Sequence, residues 1–98
     1  MPSAIPADPT PDALFELRKV AFGLALRQLR LDKGFTQEQL AWATGISPIF
    51  ISNLERGYKE PCLNTIATLC ESLKIPVGDL MLIYDALLRK LQQQGPKS

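Results

Sequence analysis

The chain has 98 residues, 46% of them apolar and 21% charged, which is enough apolar content to fill one core in a single domain. No apolar run approaches the roughly 20 residues needed to cross a bilayer, and the opening MPSAIPADPTP lacks the basic start and apolar centre of a secretory signal, so a cytoplasmic protein with no membrane association is expected. Histidine is absent, Cys62 and Cys70 are the only cysteines, and no carboxylate pair, nucleophile with base or glycine-rich phosphate loop stands out; no enzyme, metal or cofactor is therefore expected.

Residues 1–10 hold Pro2, Pro6 and Pro9 among small and polar side chains and read as a disordered arm. Without arginine or lysine this arm is poorly suited to reach into a minor groove. Thr10 is a capping residue, Pro11 suits the first helical position and Asp12 the positive helix end, so a first helix is expected from about Pro11 to Lys33, with Gly34 as its stop. Leu14, Leu17, Ala21, Phe22, Ala25, Leu26 and Leu29 recur at helical spacing. Phe15, Val20 and Leu24 exceed what one stripe needs and suit either the C-terminal helix or a partner subunit.

Thr36 followed by Gln39 is a capping box that opens a short helix, Gln37–Thr44, ended by Gly45. Ser47 caps a third helix with Pro48 at its first position, running to about Arg56 before Gly57. A fourth helix, Leu63–Leu73, turns Leu63, Ile66, Leu69, Cys70 and Leu73 to one side, and Ile75-Pro76 breaks it. If both cysteines lie on that helix, about 12 Å separates them and a disulfide is excluded, leaving two reduced structural thiols. A fifth helix begins near Val77 or Gly78 and continues toward Gln93. No strand-like alternation and no internal repeat occur, so the expected fold is all-α, with five helices joined by short connections. The organisation expected is an arm at 1–10, a folded domain at 11–82, and a helical extension with a tail at 83–98.

The informative stretch runs from Gln37 to Gly57. Ala41 is small enough for a close crossing, Gly45 follows four residues later where the chain must turn left-handed, and β-branched Ile51 follows six beyond. Leu40, Ile46 and Leu54 fill the neighbouring apolar positions. That combination is what a helix-turn-helix unit requires. The net charge of +1 adds little: residues 11–33 carry +2 and residues 34–60 carry −1.

Residues Phe22 to Met81 resemble the phage repressor and Cro type of helix-turn-helix domain, the Xre family. The most specific pieces are Leu29-Arg30, Gly34-Phe35-Thr36-Gln37-Glu38, Ile51-Ser52-Asn53-Leu54-Glu55-Arg56-Gly57, and Pro61 before the fourth helix. The resemblance implies a compact lambda-repressor-like fold, here with extended first and last helices. It also implies a sequence-specific transcriptional regulator that acts as a homodimer on a near-palindromic double-stranded operator. The runner-up is a protein-interaction module, such as an antitoxin or developmental regulator, with DNA binding secondary.

The resemblance assigns Gln37 a phosphate contact through its backbone N–H and a side-chain bridge to the third helix, and it pairs Arg30 with Glu55 in a partly buried ion pair. Core packing claims Ile51 and Leu54, which leaves Pro48, Ile49, Ser52 and Asn53 as the base-reading candidates. Asn53 suits an adenine edge, Ser52 a base or phosphate, and Ile49 a thymine methyl or, equally as an exposed apolar group, a protein partner. Pro48 shapes the helix start but cannot donate to a base. Phe50 suits partial burial as well as contact. Arg56, Tyr58 and Lys59 are the expected phosphate contacts past the helix. Trp42 is expected to pack between helices. Tyr84, Leu87, Leu88 and Leu91 make the last helix wider in apolar surface than one stripe needs, so a dimer contact is expected there, with folding back on the first helix the alternative.

Overall fold

The computed structural model describes residues 11–94, so the arm, the Thr10 cap and the last four residues lie outside it. Five helices follow one another: α1 (Pro11–Asp32), α2 (Gln37–Thr44), α3 (Pro48–Glu55), α4 (Leu63–Leu73) and α5 (Val77–Gln93). No strand occurs among the described residues. The first helix stops one residue earlier than expected from sequence, and the third ends at Glu55 with Arg56 as its cap, a shift within the fraying of helix ends.

Local chemistry explains the boundaries. Gly34 takes φ 80, and its N–H and that of Phe35 donate to the carbonyls of Leu31 and Arg30, each at 3.0 Å, closing α1. At α2 both halves of the capping box form: Gln39 N–H donates to Thr36 Oγ1 at 3.0 Å, and Thr36 N–H to Gln39 Oε1 at 2.9 Å. The Ser47 hydroxyl caps α3 by accepting from Phe50 N–H at 3.0 Å. Cys62 precedes α4 without a side-chain cap bond to the backbone, and Lys74 closes that helix in the left-handed region at φ 58, a position that a glycine would occupy with less strain. Cys62 is exposed, Cys70 is buried, and both are free thiols.

The core is the inward stripe of every helix. Phe22, Ala25, Leu26 and Leu29 from α1 meet Leu40 and Ala41 from α2, Ile51 and Leu54 from α3, Leu69, Cys70 and Leu73 from α4, and Leu80 from α5. Ile83, Tyr84 and Leu87 pack against that cluster from the last helix. Tyr84 and Leu87, expected from sequence at a dimer contact, are thus at least partly engaged with the chain's own first helix, while Leu88 and Leu91 are half-buried outside the cluster.

Candidate nucleic-acid interface

The bend between α2 and α3 is built from short-range bonds. Gly45 takes φ 76 and donates its N–H to Ala41 C=O at 2.8 Å; the Thr44 hydroxyl donates to Leu40 C=O at 2.8 Å and accepts from Ile46 N–H at 3.1 Å. These bonds satisfy the end of α2 while the chain swings into Ser47. Ala41 lies buried where the two helices cross, and Ile51 and Leu54 are fully buried beneath α3.

The inner side of α3 is held again by α1. A side-chain carbon placed on Gly23 would sit 2.4 Å from Leu54 C=O oxygen and 2.5 Å from that of Glu55, so the last carbonyls of α3 rest against bare backbone. One turn earlier Val20 presses on Gly57, whose φ is 76. Sequence reasoning missed Gly23. Its signal was a lone glycine inside a long apolar helix, where a glycine that costs about 1 kcal/mol against alanine calls for a packing reason.

Three hydrogen bonds converge on the Glu55 carboxylate. Arg30 Nε donates to Oε2 at 2.6 Å and Arg30 Nη2 to Oε1 at 3.0 Å, while Gln37 Nε2 donates to Oε1 at 2.9 Å. Arg30 Nη1 also reaches Phe35 C=O at 2.8 Å. Both charged side chains are buried, and hydrogen bonding to Glu55 raises the already high pKa of the guanidinium. The pair ties α1, α2 and α3 together and neutralises an acidic group that would otherwise repel a phosphate. The Gln37 side chain thereby bridges α2 to α3, the bridge that the resemblance implied.

The opposite side of α3 is turned away from the core cluster formed by the described residues. Ile49, Asn53 and Arg56 follow at i, i+4 and i+7 and share the outward face, with Ser52 and Pro48 on one flank. Ile49 is 74% exposed; Ser52 and Asn53 are partly accessible, and Pro48, Arg56, Tyr58 and Lys59 are exposed. Phe50 is half-buried against the core, on the other flank. The eight residues singled out for DNA are thus distributed over the start of α2, α3 and the turn after it, and each is at least partly accessible.

Trp42 corrects an expectation. It is 90% exposed instead of packed between helices. Leu40 and Ala41 take the inward positions of α2, and Trp42 stands on the opposite side, bordering an open groove with Lys33, Phe35 and Glu38. No helix of the described residues is long and apolar enough to cross a membrane.

Residues 26–80 match the family described as Helix-turn-helix. Among curated proteins, the HTH-type transcriptional regulator DdrOP3 of Deinococcus deserti is 39% identical over 56 residues, covering 57% of this chain and 43% of that protein. The uncharacterized HTH-type transcriptional regulator y4dJ of Sinorhizobium fredii is 35% identical over 66 residues, covering 67% of this chain and 84% of that protein. The chain therefore spans less than half of the first relative and most of the second. Among solved structures, the clp gene regulator ClgR of Corynebacterium glutamicum superposes with a TM-score of 0.75 at 36% identity, over 79% of this chain and 82% of that one.

Proposed function

This chain belongs to the helix-turn-helix family of transcriptional regulators, and we propose that it binds a specific double-stranded DNA site in the cytoplasm by laying the outer face of α3 in the major groove. The observation that carries this reading is the division of α3: one side is fixed by the core, Gly23 and the Arg30–Glu55 pair, and the other is offered to solvent. A helix held so rigidly from behind, with polar groups in front, matches what base-edge recognition needs. In this reading Gln37 N–H at the start of α2 and Tyr58 and Lys59 in the turn after α3 meet phosphates. The protein acts by binding, not by catalysis.

Residues 11–82 form the DNA-binding unit, and the part of α5 beyond residue 82 serves a homodimer. Of Tyr84, Leu87, Leu88 and Leu91, the residues expected at a dimer contact, the first two pack against the chain's own core, which leaves the half-buried Leu88 and Leu91 for a partner helix. A two-fold dimer implies a near-palindromic operator with half-sites about 34 Å apart.

A gel-shift titration on a pool of random duplexes at 50 and 200 mM salt tests the reading. Several phosphate contacts predict a fall in affinity of at least tenfold across that range. A shift indifferent to salt, or no shift at the lower concentration, speaks for a protein-binding module instead.

A further inference from the structure

Three side chains at the end of α3, Asn53, Arg56 and Tyr58, are linked in sequence by a hydrogen bond and a ring contact. Tyr58 N–H donates to Asn53 C=O at 2.9 Å and Gly57 N–H to Leu54 C=O at 3.1 Å, so the left-handed turn at Gly57 brings Tyr58 back beside the last turn of the helix. The guanidinium carbon of Arg56 then lies 4.8 Å from the centre of the Tyr58 ring, within the range of cation–π attraction. From that place Arg56 Nη2 donates to Asn53 Oδ1 at 3.5 Å. Arginine has no acceptor, so the carboxamide atom turned toward it must be the oxygen.

This arrangement changes what Asn53 offers to a base. A free asparagine presents a donor and an acceptor together, which matches N7 and the N6 amino group of adenine. Here one lone pair of Oδ1 is shared with Arg56, and the pair as a whole has more donors than acceptors: the Asn53 Nδ2 hydrogens and the N–H groups of Arg56 not used in that bond. Two neighbouring acceptors in the major groove, N7 and O6, are the mark of guanine.

We propose that Asn53 and Arg56 together read a guanine, and that Tyr58 is the positioning residue that holds Arg56 against Asn53. The proposal rests on α3 being the helix that reads the groove, and it moves Arg56 from the phosphate backbone to a base edge.

The test is selection of bound duplexes from a random pool by the full chain and four variants, each checked for unaltered helicity by circular dichroism. The wild type should enrich a guanine at the position whose preference Asn53→Ala reduces by about tenfold. Asn53→Asp, nearly isosteric but stripped of the donor, should lose the same preference. Tyr58→Leu should narrow the guanine-over-adenine ratio by about two- to fivefold. Tyr58→Phe keeps the ring and should keep the ratio, even as loss of the hydroxyl weakens all duplexes alike. An adenine at the Asn53-dependent position, or equal ratios for Tyr58→Leu and Tyr58→Phe, overturns the guanine assignment or the positioning role respectively while leaving DNA binding intact. An enriched motif that Asn53→Ala does not alter also overturns the proposal alone. Enrichment of nothing at all removes both it and the DNA-binding reading beneath it.

Discussion

The inner and outer sides of α3 obey different rules, although both belong to one helix of eight residues and its cap, Arg56. On the inner side every group has a fixed counterpart: Ile51 and Leu54 in the core, Glu55 on Arg30 and Gln37, and the terminal carbonyls of the helix against Gly23. On the outer side Ile49 is exposed, and the Asn53 and Arg56 side chains meet only each other and the exposed Tyr58 ring among the bonds and ring contacts of the described residues. Interior contacts tolerate almost no change of shape, whereas exposed side chains can be exchanged at little cost to stability. One helix can therefore keep its place while its reading surface varies. The separation is testable, because substitutions on one side should leave the other side's property untouched.

The largest effect is expected from Arg30→Met, which strands the Glu55 carboxylate in a buried site. A loss of about 3–5 kcal/mol is the usual scale for breaking one partner of such a pair. Thermal unfolding measures it, and the double variant Arg30→Met with Glu55→Met should recover most of the loss; if the double variant were as unstable as the single one, the pair would not be the reason. Gly23→Ala comes next. Its methyl would meet two carbonyl oxygens well inside contact distance, and a cost of about 2–3 kcal/mol is expected, net of alanine's better helix propensity. A melting temperature equal to the wild type's would mean that α1 and α3 are not in such close approach.

Outer-face substitutions should reverse this pattern. Asn53→Ala should lower the preference for the cognate site over random DNA by about 1–3 kcal/mol and shift the unfolding midpoint hardly at all. A comparable loss of stability would show that the two sides are not independent. The smallest effect is expected from Lys59→Ala, which should weaken all duplexes alike and reduce the slope of log affinity against log salt by about 0.9 for each subunit bound. A change in base preference there would place Lys59 at a base edge and not at a phosphate.

Most of the inner side was legible in the sequence because its determinants are local. The capping box at Thr36 and Gln39, the left-handed glycine at position 45 and the spacing of Ala41 and Ile51 all act within a few residues of each other. Gly23 was not legible, since its reason is the approach of carbonyls some thirty positions later in the chain. Trp42 misled for a different cause: a large apolar side chain suggests burial, but α2 is short and its two inward places are already filled by Leu40 and Ala41. Lys74 gave no sign of its left-handed conformation, in which its own N–H and that of Ile75 close α4 onto the carbonyls of Glu71 and Cys70. On the outer face, spacing identifies which residues point away from the core. It does not disclose that Arg56 engages the Asn53 oxygen, because that depends on how the Gly57 turn returns the Tyr58 ring.

The brevity of α3 has one more consequence. Two turns of helix do not persist in water by themselves, so its shape is borrowed entirely from the neighbours that clasp it. Heating or urea should then abolish operator recognition at the same midpoint at which ellipticity collapses. The chain has no intermediate regime in which it stays folded yet has gone blind to its site.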